Sequence, residues 1–347
     1  MLNLDHQFAL VLFDEAGEVL GSAAAEVDWE PAVQCASFYF LRRGELAIHD
    51  GNGSASIVPL WDREVGAPYC RGFRVSIARN GHTPCTSDYP SRYFRGVAAK
   101  AAALFIEQGK LEKDAVFRYV VVALDKKAND GTSLSGGLQV EEQVQPLRVM
   151  ESSLSDWQKR ASPVGPVDDD DMPVFVPQFL FDQVAEQTLA ERGRETGGIL
   201  IGNLHRDAGL PEIFAEVTAQ IPAEHTRGDS VKLTFTPDTW VAVDNAIKLR
   251  GRGELYLGYW HSHPVFSWCA ARGCSIEKQA NCRLGSSFFS SDDENVMRAV
   301  FPRGHSIALV ANDTAFTTIT YSWFGWREGS IQPRGYYLMG EHNATQV

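Results

Sequence analysis

The chain has 347 residues, 44% hydrophobic and 22% charged, which suits two globular domains and excludes a single small module, wholesale disorder and coiled-coil or collagen-like architecture. Lys plus Arg number 32 against 44 Asp plus Glu, a net charge of −12, so no global positive field draws the protein to nucleic acid or to anionic lipid. No stretch approaches the roughly 20 apolar residues that span a bilayer, and six cysteines in so long a chain do not suggest a secreted disulfide framework.

At the start of the chain, Met1–Asp14 carries no Lys or Arg, and its apolar run Phe8–Phe13 is too short for the core of a signal peptide. A cytoplasmic, soluble protein is therefore expected, with no membrane or nucleic-acid partner, and in a reducing cytoplasm the sequons at Asn312 and Asn343 carry no meaning. Residues 1–150 read as an α+β domain: strands at Phe8–Phe13, Ser56–Trp61, Phe73–Ala78 and Phe117–Leu124, and a helix over Ser91–Gln108. In that helix Phe94, Val97, Ala98, Ala101, Leu104 and Phe105 fall at helical spacing and Gly109 supplies the stop. No catalytic constellation stands out in this half, although Cys70, His82 and Cys85 raise a weak metal question.

Residues 151–177 turn to Ser, Pro and Gly with a run of four aspartates, Asp168–Asp171, which reads as a solvated acidic linker. Beyond it, residues 178–330 alternate again. Helices are expected at Gln178–Arg192, Thr236–Leu249 and Ser291–Val300, with strands at Gly198–Leu204, Ile213–Ile221, Val231–Phe235, Glu254–Trp260, Ser306–Ala311 and Phe316–Trp323. Residues 331–347 read as a tail. The fold class expected overall is α/β of the α+β type, a mixed sheet with flanking helices in the second half.

Chemistry concentrates in that half. His261-Ser262-His263-Pro264 follows a strand, and side chains two apart on an extended chain point the same way, so both imidazoles can meet one metal ion. A third ligand candidate is Asp293, in Ser290-Ser291-Asp292-Asp293. Ser and Asp ahead of a helical run are also what a helix N-terminus needs, a capping role that suits Ser291 and Asp292. Residues three apart on the first turn share a face, so Ser290 and Asp293 can project together. Two His and a carboxylate with an open fourth position suit catalytic rather than structural zinc. Glu195 is the candidate base; Gly197 and Gly198 after it allow a sharp turn into a strand and close approach by another backbone or a substrate.

Together these residues resemble the JAMM metalloprotease family, also called JAB or MPN-plus, whose pattern is a Glu ahead of a Gly-rich strand, then His-Ser-His-Pro, then Ser-x-x-Asp opening a helix. Here those elements are Glu195 with Gly197-Gly198-Ile199-Leu200-Ile201-Gly202, then His261-Ser262-His263-Pro264, then Ser290-Ser291-Asp292-Asp293, with Gly258-Tyr259-Trp260 as a lead-in. The resemblance covers about residues 178–325 and leaves the first half unexplained. It implies a zinc ion held by His261, His263 and Asp293 with a water in the fourth position, Glu195 as general acid/base and Ser290 as hydrogen-bond donor to the oxyanion, in hydrolysis of a peptide or isopeptide bond. The implied substrates are a ubiquitin-like protein, its conjugates or its precursor, in the setting of a bacterial antiviral conjugation operon, with residues 1–150 binding a target or the conjugation machinery. A non-catalytic scaffold and a processing enzyme for a sulfur-carrier ubiquitin-like protein are the alternatives.

One interval departs from the family, which keeps the second His close to the Ser. Here 26 residues, Pro264–Phe289, intervene, making 265–289 an insertion and leaving Asp292 and Glu294 as fallback ligands. The insertion holds Cys269, Cys274 and Cys282, which could seat a second, structural zinc with His305 as the nearest fourth ligand in sequence. Alternatively Val265, Phe266 and Trp268 would suit a lid over the site.

Overall fold

The computed structural model describes residues 2–47, 53–61, 69–78, 83–113, 115–125, 147–223, 235–280, 282, 288–314 and 319–340. The chain divides into two units, one built mainly from residues 1–147 and the other mainly from 148–347. Among the described residues no helix is long and apolar enough to cross a membrane.

The N-terminal unit is a seven-stranded sheet in the order Leu2–Leu4, Ser54–Trp61, Tyr69–Ala78, Arg118–Asp125, His6–Phe13, Val19–Ala24, with Cys85–Pro90 also pairing to Tyr69–Ala78. The expected helix is present as a short 3₁₀ turn, Ser91–Phe94, leading into Arg95–Glu107, and a second helix spans Glu30–Arg42. Alternation along His6–Phe13 puts Phe8, Leu10 and Leu12 inside. Phe8, Trp29, Phe73, Tyr93 and Phe94 then pack with ring centroids about 5–6 Å apart, the offset and edge-on spacing that aromatic quadrupoles favour. Cys70 is buried in this unit, which pushes its thiol up to about 11, and His82 lies outside the described residues.

The C-terminal unit is a ten-stranded mixed sheet in the order Ser330–Arg334, Ile319–Arg327, Ile307–Asp313, Leu255–His263, Gly197–Arg206, Ile213–Pro222, Val174–Pro177, Tyr336–Met339, Ala161–Val164, with Met150–Glu151 pairing to Gly197–Arg206. Its main helices are Gln178–Ala190, Pro237–Arg250 and Ser291–Val300, close to the expected spans. The strand expected at Val231–Phe235 falls almost wholly outside the described residues.

Two expected boundaries give way. Residues 151–177 are no free linker: they carry the helix Leu154–Lys159 and the strands Ala161–Val164 and Val174–Pro177, and Val174, Phe175 and Val176 are completely buried. Leu154, Phe175 and Phe214 form a core cluster joined by Trp157, Tyr337 and Met339, each fully buried large apolar side chain worth roughly 1.5–3 kcal/mol. Two of the four aspartates are partnered, since Arg327 clamps Asp171 at 2.6 and 3.0 Å and reaches Asp168 at 3.2 Å. Likewise, residues 331–339 of the expected tail are sheet strands, Tyr336–Met339 lying between Val174–Pro177 and Ala161–Val164.

Glycine shapes the centre of this sheet. Gly258 has φ +155°, and a Cβ there would sit 1.7 Å from the Ile307 carbonyl oxygen, so only glycine lets Leu255–His263 pair in parallel with Ile307–Asp313. The same point faces the register shift between Leu200 and Ile201, a bulge that leaves Tyr259, His261 and His263 aligned on one face.

Candidate metal centre

The site is assembled at the C-terminal end of Leu255–His263. Ser262 is held by a reciprocal pair: its N–H donates to the Thr196 carbonyl at 2.7 Å, and its Oγ accepts from the Thr196 N–H at 2.9 Å. The antiparallel register that sets Gly197 against His261 therefore extends to Thr196 beside Ser262, with Glu195 the next residue along the chain. The charge of Glu195 is felt at both His263 and Tyr259. The close approach permitted by Gly198 is taken up within the protein, because a Cβ there would lie 2.6 Å from Trp260 Nε1, which donates to Gln220 at 3.0 Å.

Asp293 arrives on the first turn of Ser291–Val300. Ser290, not Ser291 or Asp292, is the cap: its Oγ accepts from the Asp293 N–H at 3.1 Å, and an Asp293 carboxylate oxygen accepts from the Ser290 N–H at 2.7 Å. The reciprocal capping box fixes the Asp293 carboxylate against the histidines. His261 Nε2 stands 3.0 Å from Asp293 Oδ1, His263 Nε2 3.6 Å from Oδ2, and the two Nε2 atoms 3.0 Å apart. Zinc–nitrogen bonds of about 2.0–2.1 Å in a tetrahedron put neighbouring donors roughly 3.3 Å apart, so these spacings fit three corners of such a site. Among the described residues this is the one group of three such ligand atoms lying within 4.8 Å of one another. Asp292 and Glu294 are not part of it.

Both histidine side chains are 2% exposed and that of Asp293 is 13%. Burial pushes His263 down, which keeps the imidazole neutral and able to ligate. Burial works against the Asp293 carboxylate, but the two histidines overcome it and hold it well below the usual range. Around them lies an aromatic wall that the motif does not announce. Tyr259 stacks on His261 at 5.4 Å and donates its hydroxyl hydrogen to the Asp293 carbonyl at 3.2 Å, while Trp268 and Phe288 stand 5.2 and 5.5 Å from the His263 ring. Tyr259 was readable from sequence, two residues ahead of His261 on the same face. Arg192 was not: it grips Asp313, 1% exposed, through two bonds of 2.9 Å and lies over the Phe266 ring at 5.3 Å.

The insertion begins as the helix Val265–Ala271, followed by Ile276–Ala280, and brings Trp268 to the site. Cys269 is in side-chain contact with Cys274 and Cys282, but the three thiols do not form a ligand cluster like that of His261, and the second metal site is not evident. Burial, with the charge of Arg303 adding to it, drives His305 down to about 3.

Residues 177–267 match the family of prokaryotic homologs of the JAB domain. The C-terminal unit contains a JAB/MPN-family domain. The matched span holds Glu195, His261 and His263 and ends before Ser290 and Asp293, whose place beside the JAB histidines is given by the geometry. No curated protein matches the chain. Among solved structures, a Desulfitobacterium hafniense protein determined in solution is similar over 50% of this chain and 97% of its own, at 15% identity and a TM-score of 0.34.

Ser290 in this JAB domain serves the helix first. Ser290→Ala is expected to cost about 1 kcal/mol through the lost cap, read as a lower unfolding temperature.

Proposed function

We propose that the JAB domain is a zinc-dependent peptidase or isopeptidase that releases a ubiquitin-like protein from conjugates or trims its precursor. The observation that carries this is the convergence of His261, His263 and Asp293 on one point at tetrahedral spacing, with the charge of Glu195 felt at His263. These three side chains would hold the ion. When bound, zinc supplies Lewis acidity and lowers the pKa of a water from 15.7 to about 7.

The chain's own residues supply the rest. Glu195 accepts the proton of the attacking water on its carboxylate and returns it to the leaving amine nitrogen. Ser290 Oγ uses a lone pair on the Asp293 N–H, so its hydroxyl hydrogen is still available to donate to the developing oxyanion. Trp268, Phe288 and Tyr259 pack on the histidine rings and shield them from bulk solvent, which strengthens these interactions. The substrate is an extended tail, a shape that can add to a strand edge. A bacterial cytoplasm with a ubiquitin-like conjugation system is the proposed setting, and the N-terminal unit is the proposed binder of target or conjugation machinery. The scaffold alternative has no observation in its favour, because every residue of the motif is kept.

The test is incubation of the full chain with a ubiquitin-like protein bearing a C-terminal extension. Cleavage at the tail, abolished by a chelator and restored by zinc, is expected; cleavage that survives chelation, or none with zinc restored on any such fusion, contradicts the proposal.

A further inference from the structure

We propose that Asn312 is a positioning residue of the metal centre, holding the ring of His263 through one bound water. The inference rests on the reading of His263 as a metal ligand. Asn312 lies in the strand Ile307–Asp313 as the Cα partner of His263, and paired positions on neighbouring strands project to the same face. Independent packing identifies that face. Ala308 pairs with Tyr259 on one side and with Phe324 on the other, and Phe324 meets Phe289, next to Ser290, at 4.5 Å. Asn312 therefore stands on the side of the sheet that carries Tyr259, His261, His263 and the Asp293 helix.

The Asn312 side chain is wholly buried, at 0% exposure, yet neither its Oδ1 nor its Nδ2 has a hydrogen-bond partner. A buried amide left unpaired on both atoms is costly, and residues of this kind persist where the amide has a task. Complete burial keeps substrate from reaching it. The matching group is Nδ1 of His263, which is also buried and without a partner, while Nε2 of the same ring faces Asp293. Side chains paired across strands have Cβ atoms about 5 Å apart, a gap that a single water can span, and a buried water needs two or more polar partners. Nδ1–H of His263 donates to that water, and the water donates to Asn312 Oδ1. With the proton fixed on Nδ1, the lone pair of Nε2 is presented to the metal, the arrangement in which a group behind a ligating histidine sets its tautomer. His261 has no such support: its Nδ1 is unpartnered too, but its strand partners are Gly197 and Val310, which bring no polar side chain.

The experiment uses cobalt(II) as the probe, titrated into the metal-free full chain and followed by visible absorption, with the unfolding temperature of each metal-free variant recorded. Asn312→Leu, similar in size and without hydrogen-bonding atoms, is expected to unfold near the wild-type temperature, to bind cobalt about 10–100-fold more weakly and to shift the absorption of the bound ion. Asn312→Asp keeps an acceptor oxygen and is expected to bind within a few-fold of wild type. Equal cobalt affinity in wild type and Asn312→Leu overturns the inference, as does a loss of more than tenfold in Asn312→Asp, whether or not the Leu variant folds. If the wild-type chain itself binds no cobalt, the metal-centre reading fails and takes the inference with it, an outcome visible before any variant is compared.

Discussion

On the proposed mechanism, Glu195→Gln is expected to keep its metal and lose cleavage. The substitution preserves size and leaves His261, His263 and Asp293 untouched, so metal stoichiometry is expected to equal that of wild type. What disappears, on the proposed mechanism, is the carboxylate next to the Thr196–Ser262 lock, whose charge is felt at His263. General acid/base groups contribute about 10²–10⁴-fold, so kcat on a tail fusion is expected to fall at least 100-fold, with substrate binding little changed. Stopped assays with parallel elemental analysis decide it. A variant that loses metal as well would make Glu195 part of the ligand set, and one that cleaves normally would remove it from the mechanism.

His261→Ala should behave oppositely, losing metal and cleavage together. His261 Nε2 is 3.0 Å from both His263 Nε2 and Asp293 Oδ1, so its removal takes away the donor nearest to the other two. Removing a group merely behind a ligand typically costs 10–100-fold in metal affinity; removing the ligand should cost more than about 100-fold. The side chain is 2% exposed and stacked on Tyr259, so truncation also leaves a cavity worth roughly 2–3 kcal/mol. Cobalt titration beside thermal unfolding separates these effects. A folded His261→Ala chain with undiminished affinity would contradict the site.

The contrast between these variants follows the parts of the protein that were legible in sequence. The grouping of His261, His263 and Asp293 could be read because strand and helix periods are local, and each stands at a fixed offset from a turn or a cap. Even there, the cap fell on Ser290 rather than Ser291 or Asp292, because the capping box uses the carboxylate that faces the histidines. Groups whose meaning lies in distant partners were not legible. Asp168 and Asp171 look like a repelling linker until Arg327, more than 150 residues away, is placed against them. Residues 331–339 look like a tail until their strands find Val174–Pro177. Asn312 reads as a sequon without meaning, and only the strand that pairs it with His263 shows it to be buried in the sheet. The insertion at 265–289 shows a nearer limit: Trp268 reaches the site within one helical turn, whereas Cys269, Cys274 and Cys282 carry no spacing specific enough to declare a metal.

The most direct test of the central claim is the zinc content of the purified full chain, measured by elemental analysis beside Glu195→Gln and a variant with Cys269, Cys274 and Cys282 all changed to Ser. Close to one zinc per chain in all three is the predicted result, with the histidine–aspartate centre as its seat. A wild-type chain that holds no zinc after incubation with excess metal would contradict the claim.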